Sequence, residues 1–294
     1  MFSLVRSLVR HKRLLKELVV RDLKARYVGS AMGFFWSVIY PFIMLFVYML
    51  VFRVFLNMRW DDKASPKDVA VWMLAGIVVW AAFSETVTRS TNSLVENSNL
   101  IQKVVFPSEV LPVSLTISSL INMMIGVPIV MLGVAWFAYV KGNDVEVASL
   151  LAGQEILPEP EARDLALGWS LVALPLLIVL QGVFTLGLGY FLSAFNLLLR
   201  DTYHLVGVGV VVWMFSTPIF YPPYLVAEKD GGRYVWMLAI NPMHWLIASY
   251  REVLVFGAWP DPGLLGRFGL VALVVLLLGA TFFRSQKDRF PDLL

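Results

Sequence analysis

Cysteine is absent from this chain of 294 residues, and charged residues make up only 15% of it. Without cysteine, a disulfide framework, a thiolate metal site and a cysteine nucleophile are all excluded. Soluble globular domains carry about 25% charged residues. A water-soluble fold of this length could not hide so much apolar surface, because much of its own surface must be polar.

Motifs that would supply energy or catalysis are also missing. The dipeptide Gly-Lys never occurs, so the phosphate-binding pattern G-x-x-x-x-G-K-[ST] is absent, and so is H-E-x-x-H. Ion carriers usually place Asp, Glu or His in the middle of the membrane. Here Glu85, Arg89 and His204 lie near the ends of apolar segments. If this chain transports a substrate, the energy therefore comes from another polypeptide.

Long apolar segments dominate what is present: 59% of the residues are hydrophobic, and the mean hydropathy is +0.73. A helix that crosses a bilayer core needs roughly 20 apolar residues. The pattern predicts an all-α integral membrane protein with six transmembrane helices, over residues 27–52, 69–84, 110–140, 165–199, 202–227 and 268–283. A further apolar block, 234–250, contains Asn241-Pro242, which predicts two short interfacial or re-entrant helices before the last span, and the alternative is that the block itself spans the membrane.

Basic residues set the expected orientation. Eight of the 24 Lys and Arg residues precede residue 27, and basic segments stay in the cytoplasm. Six spans then place both termini in the cytoplasm and the acidic stretch 141–164 outside, as a solvated loop. The expected organisation is a cytoplasmic N-terminus with an interfacial helix (1–30), a transmembrane domain (31–284) and a cytoplasmic tail (285–294).

Two cytoplasmic segments carry apolar side chains at helical spacing. The stretch 14–26, LLKELVVRDLKAR, predicts a helix lying in the membrane plane, and the alternative is a solvated start to the first span. The stretch 96–107 predicts a short helix that exposes Leu100, Ile101, Val104, Val105 and Phe106. Such a surface fits either a cytoplasmic partner subunit or a loop packed on its own helices.

Aromatic residues form 14% of the chain and cluster at the ends of the first and fifth spans. Most of them fit an interfacial belt and lipid-facing packing. The alternative is a pore in which aromatic rings stack against the apolar faces of sugars.

Several short motifs in unbroken order resemble a known family. They are LVVRDLKARYVGS (18–30), GFFW (33–36), LAG (74–76), NSNLIQKVVFP (97–107), TPIFYP (217–222), NPM (241–243) and YRE (250–252). Together they resemble the type-2 ABC exporter permeases, in the branch of the O-antigen, capsule and teichoic-acid exporters. The acidic stretch after the third span is longer than the usual connection in that family.

The resemblance implies an ATP-driven exporter of a lipid-linked, O-antigen-like polysaccharide in the bacterial inner membrane. It implies a homodimer bound to two ABC ATPase subunits, which would hold ATP and magnesium. This chain itself would need no cofactor, metal or catalytic residue. The implied channel and gate residues are Phe35, Trp36, Tyr40, Trp213, Phe220, Tyr221, Asn241 and Trp245. The implied ATPase-coupling residues are Asn97, Asn99, Leu100, Ile101, Lys103, Phe106 and Pro107.

Three alternatives stay open at this point. One is an ABC exporter of a small lipid or drug. Another is a membrane-embedded glycosyl or acyl transferase, which should cluster acidic or histidine residues at the membrane edge. Glu85, Arg89 and His204 are its only candidates. The third is an ion-coupled carrier, which would transport without ATP.

Overall fold

The computed structural model describes residues 2–27, 35–55, 66–103, 106–152 and 165–294. Across these residues the chain is helical and contains no strand, so the predicted all-α fold is confirmed. The α-helices are α1 Phe2–Arg10, α2 Lys12–Tyr27, α3 Phe35–Met49, α4 Pro66–Glu96, α5 Ser98–Lys103, α6 Val110–Ala152, α7 Leu174–Leu198, α8 Thr202–Ser216, α9 Pro223–Glu228, α10 Val235–Ala239, α11 Pro242–Leu254, α12 Pro262–Gln286 and α13 Phe290–Leu293.

Four of the six predicted spans are long, apolar helices. They correspond to α4, α6, α7 with the 3₁₀ turn Trp169–Ala173 before it, and α12. The other two, α3 and α8, are apolar but have only 15 residues each, and the π-helical turn Leu50–Phe55 extends α3. The predicted end of the fifth span at residue 227 was wrong. Helix α8 stops at Ser216 because prolines at 218, 222 and 223 cannot continue it.

One other boundary differs from the prediction. Helix α6 continues through Ala152, so the expected loop is helical over residues 141–152. The rest of that acidic stretch, 153–164, lies outside the described residues. Helix α4 extends past Glu85, as expected for the apolar segment 69–84, and runs as far as Glu96; Glu85 and Arg89 of this extension form ion pairs with α2. The break in the block 234–250 is confirmed, with α10 ending at Ala239 and α11 beginning at Pro242.

Helix α4 lies at the centre of the bundle, in contact with α3, α6, α7, α8 and α11. Four aromatic side chains join the helices around it. Phe83 lies 5.9 Å from Phe184 and 5.2 Å from Trp213, measured between ring centroids, and Phe184 lies 5.4 Å from Phe268. Such pairs favour offset or edge-to-face geometry and fix the relative rotation of the helices that carry them.

A second apolar cluster lies at one end of the bundle and connects several helices there. It joins Leu18 of α2, Leu94 of α4, Ile101 of α5, Phe283 of α12 and Phe290 of α13. The two terminal segments and α5 therefore lie at the same end, as the even number of predicted spans requires.

The tightest helix pair is α7 with α12. A Cβ atom added to Gly279 would overlap the carbonyl oxygen of Gly187, and one added to Gly187 would meet the backbone of Leu276. Small residues let membrane helices approach closely, and here glycine on both sides makes the approach possible.

We expect Gly279→Ala to lower the free energy of unfolding by about 1–3 kcal/mol, because the added methyl group must push the two backbones apart. Unfolding of the purified protein in detergent measures the change. Gly266→Ala is the matched control on the same helix, since a Cβ at Gly266 meets nothing within 4 Å. Equal stability of the two variants would contradict the close approach.

Candidate functional site

Two carboxylates and two guanidinium groups form an ion network between α2 and α4. Arg26 contacts Asp22 at 3.3 Å and Glu85 at 2.6 Å, measured from nitrogen to oxygen. Arg89 donates to Glu85 at 3.1 Å and also to Asp22. The two i,i+4 pairs are visible in the sequence, but only the fold brings them together. The network balances its four charges, so it holds the amphipathic helix α2 in place without a net charge.

The Asp22 carboxylate is the member of this network that sits on α2, outside the spanning helices. Its side chain is mostly buried, with 14% of its surface exposed. Burial by itself raises the pKa of Asp22, but the hydrogen bonds and charges of Arg89 and Arg26 outweigh burial and hold the pKa below its ordinary value. Asp22 is therefore ionised at neutral pH.

A cleft of about 260 Å³ opens beside this network, between α3, α4 and α6. Trp36 and Tyr40 line its α3 side, and each ring is about half exposed. Polar groups also line the cleft: Ser37 of α3 donates to the side-chain oxygen of Asn122 of α6 at 2.8 Å. Arg26 and Glu85 also border the cleft. A lining that combines aromatic rings with hydrogen-bonding groups fits a ligand with both flat apolar faces and hydroxyl groups.

Asn241 joins the end of α8 to the start of α11. Its side-chain oxygen accepts from the indole N–H of Trp213 at 2.9 Å and from the backbone N–H of Met243 at 3.0 Å. Its amide nitrogen donates to the Thr217 hydroxyl at 2.9 Å. One buried side chain therefore caps α11 and holds both the last turn of α8 and the non-helical residues after it.

Arg251 supports the same non-helical residues from α11. Its side chain is buried, and its guanidinium donates to the carbonyl oxygens of Trp72 at 3.1 Å, Pro218 at 2.8 Å and Ile219 at 3.2 Å. It also lies over the Trp72 ring, 3.0 Å from the centroid. Gly76 leaves the room it needs, since a Cβ there would lie 2.7 Å from the guanidinium.

Sequence reasoning did not single out Arg251 as a functional residue. The available signal was a lone cation at the end of a broken apolar block, following a proline-rich interruption. A buried charge needs partners, and the uncapped carbonyl groups of such an interruption can supply them.

The remaining predicted channel residues fall into three groups by exposure and location. Phe35 is exposed on α3, near the accessible Trp36 and Tyr40. Phe220 and Trp245 are buried, and Phe220 packs 3.7 Å from Tyr48 between ring centroids. Tyr221 is half-buried and lines a separate pocket of about 330 Å³ with α9 and α10. Accessible and buried aromatics thus occupy different parts of the chain, and their role in a channel stays a prediction.

The predicted coupling segment forms the short helix α5. Asn99, Leu100 and Lys103 are exposed on it, which leaves an outward face. Ile101 is buried, so the expectation that it would be exposed was wrong; the side chain turns inward to the cluster around Leu94. The flanking residues Asn97, Phe106 and Pro107 are half-buried. Residues 104 and 105, two valines, lie outside the described residues.

The candidates for an enzyme do not form a catalytic cluster. Glu85 and Arg89 are engaged in the ion network, whereas His204 lies exposed at the start of α8. Within the described ranges, no group of three or more His, Asp or Glu residues is placed to hold a metal ion.

A family model for the ABC-2 type transporter matches residues 13–255. The chain belongs to this ABC-2 transporter family. It is a multi-pass membrane protein, and the break at Asn241, the helix α5 and the network on α2 all fall within the matched region.

Curated ABC-2 relatives match over nearly the whole chain. The O-antigen export system permease protein RfbA of Myxococcus xanthus is 30% identical over 99% of both chains. The protein of the same name from Klebsiella pneumoniae is 25% identical over 96% of this chain and 95% of its own. The polysialic acid transport protein KpsM of Escherichia coli is 20% identical over 92% of each.

We expect Asn241→Ala to lower the free energy of unfolding by about 2–3 kcal/mol, because the helix cap is lost and buried donors lose their acceptor. The control is Asp261→Ala, which removes an exposed cap that accepts from Gly263 and Leu264 at the start of α12. It should cost only about 1 kcal/mol. If unfolding in detergent shows a larger loss of stability for Asp261→Ala than for Asn241→Ala, the assigned hydrogen bonds of Asn241 are contradicted.

Asp22 predicts a pH-dependent contribution to stability. Because its folded pKa lies below its ordinary value of 3.8, ionised Asp22 stabilises the protein above that pH and loses the effect as the pH falls through the folded pKa. The melting temperature should therefore exceed that of Asp22→Asn by a constant margin from about pH 8 to about pH 5, and the margin should shrink in stronger acid.

Glu17→Gln on the exposed face of α2 is the control for this comparison. It should leave the melting temperature nearly unchanged at every pH, because an exposed charge contributes little. A margin for Asp22→Asn that is absent at neutral pH, or that does not shrink in acid, contradicts the assigned ion network.

Proposed function

We propose that this chain is the membrane-spanning permease subunit of an ABC exporter that moves a lipid-linked, O-antigen-like polysaccharide across the bacterial inner membrane. The observation that carries the proposal is the end-to-end match to O-antigen export permeases, which includes 99% of both chains in one case. The permease performs no covalent chemistry on its substrate. ATP and magnesium bind to a separate ABC ATPase subunit, and a homodimer of permeases works with two such subunits.

The cleft lined by Trp36 and Tyr40 supports a sugar as the transported group. Aromatic rings hold the apolar face of a sugar, while Ser37 and Asn122 line the same cleft with hydrogen-bonding groups. The adjoining ion network has two acidic and two basic members, so it offers no net charge to an ion. An uncharged, hydroxyl-rich ligand fits this wall better than a cation or an anion does.

The coupling route runs from α5 into the bundle. The exposed Leu100 presents an apolar side chain beside Asn99 and Lys103 at the end of the bundle that holds both termini. Docked on an ATPase, α5 transmits the closure of that subunit. The joint of Asn241 and Arg251 at the end of α8 then acts as the gate on the opposite, outer side, with both termini in the cytoplasm.

We expect Leu100→Asp to reduce recovery of the ATPase subunit by about tenfold when the tagged permease is isolated from its native membrane, because a carboxylate would be buried in an apolar contact. Quantified pull-down followed by ATP hydrolysis measures the loss. Phe106→Asp is a second variant, but its half-buried ring also supports the fold.

Trp259→Asp is the control, since this residue is exposed in the segment before α12, at the other end of the bundle. Its ATPase recovery should match the wild type. Two results would overturn the proposed function: recovery of the wild-type permease without any ATPase, or a complex whose ATP hydrolysis does not respond to lipid-linked polysaccharide. Transport in proteoliposomes without ATP would instead favour an ion-coupled carrier.

A further inference from the structure

The C-terminal residues after α12 fold back onto the bundle. The 3₁₀ turn Lys287–Arg289 leads into α13, and α13 contacts α5 and α7. Phe290 is fully buried, with its ring 5.0 Å from Phe283 between centroids, and Phe283 lies 4.9 Å from Tyr190 of α7. A merely solvated tail would not bury its aromatic residue. The expected cytoplasmic tail is therefore a packed element.

An ion pair fixes the same segment to the chain that follows α5. The Lys287 ammonium lies 2.7 Å from a carboxylate oxygen of Glu109, whose side chain is only 2% exposed. Burial raises the pKa of Glu109, but the hydrogen bond and charge of Lys287, with a hydrogen bond from Ser7 of α1, hold the pKa below its ordinary value. The backbone carbonyl of Glu109 also accepts from the Tyr190 hydroxyl at 3.1 Å.

These contacts connect α7, the C-terminal segment and the residues between α5 and α6 on the buried side of α5. Glu109 stands between α5 and α6, and it is bound to α7 through Tyr190 and to the C-terminal segment through Lys287. The apolar cluster that contains Phe290 also contains Ile101, the buried residue of α5. Leu100 faces outward from the same short helix. Helix α5 has six residues and few contacts of its own, so its position depends on what packs behind it.

We infer that the C-terminal segment 287–294 positions α5 by packing behind it through Phe290 and Lys287. Because α5 is supported in this way, motion of an ATPase docked on the outer face of α5 passes into α7 and α12. This inference rests on the proposed function. Phe290 and Lys287 are positioning residues, because Phe290 is buried behind α5 and Lys287 pairs with the buried carboxylate of Glu109. Weakening the support should leave the ATPase bound to Leu100 while less of its motion reaches the transmembrane helices.

The test compares three quantities in the complex of permease and ATPase reconstituted into proteoliposomes with lipid-linked polysaccharide. They are ATPase recovery, the rate of ATP hydrolysis and the amount of polysaccharide exported per ATP. For Phe290→Ala we expect normal recovery, hydrolysis within about twofold of the wild type, and export per ATP reduced about three- to tenfold. Phe290→Leu should restore most of the export, because an apolar side chain again fills the site.

Lys287→Gln tests the same support without changing the apolar cluster, and it remains usable if Phe290→Ala does not accumulate in the membrane. It should also reduce export per ATP while preserving recovery of the ATPase. Asp292→Asn is the control on the exposed side of α13 and should match the wild type.

The inference is overturned if Lys287→Gln and any stable Phe290→Ala export normally, or if recovery, hydrolysis and export fall together. A wild-type complex that does not couple hydrolysis to export refutes the proposed function itself.

Discussion

Backbone groups that leave helical geometry inside a membrane have no water to bind, so the protein itself must satisfy them. This constraint governs the end of α8. The residues after α8 contain prolines that end the helix. The side chains of Arg251 on α11 and of Asn241, which caps α11, replace the lost hydrogen bonds. Arg251 donates to the carbonyl oxygens of Pro218 and Ile219, and the Asn241 amide donates to the carbonyl oxygen of Ser216. The broken segment is thereby held in one conformation.

The charged side chains between α2 and α4 are stabilised by pairing with one another. Asp22, Arg26, Glu85 and Arg89 neutralise one another where α2 crosses the end of α4. Half-buried ions are costly unless they are paired, and the pairing also fixes the position of an amphipathic helix that could otherwise slide along the bundle. The cleft with Trp36 and Tyr40 borders this network, so the position of α2 shapes one edge of the candidate sugar site.

The two ends of the bundle therefore have distinct physical characters. At the end with both termini, α5 presents Leu100 outward and Ile101 inward, over a cluster completed by Phe290. At the other end, α10 and α11 meet the broken end of α8. Helices α7 and α12, which touch at paired glycines, connect the two ends as one tightly packed unit.

The sequence by itself determined the class of protein, the number of apolar segments and the break at Asn241-Pro242. Each of these follows from local composition or from the stereochemistry of proline. It also located the short helix at α5. The inward side of Ile101 and the role of Arg251 were decided only by the tertiary structure. Each depends on which distant groups meet, and hydropathy alone does not encode the partner of a buried cation or the neighbour behind a six-residue helix.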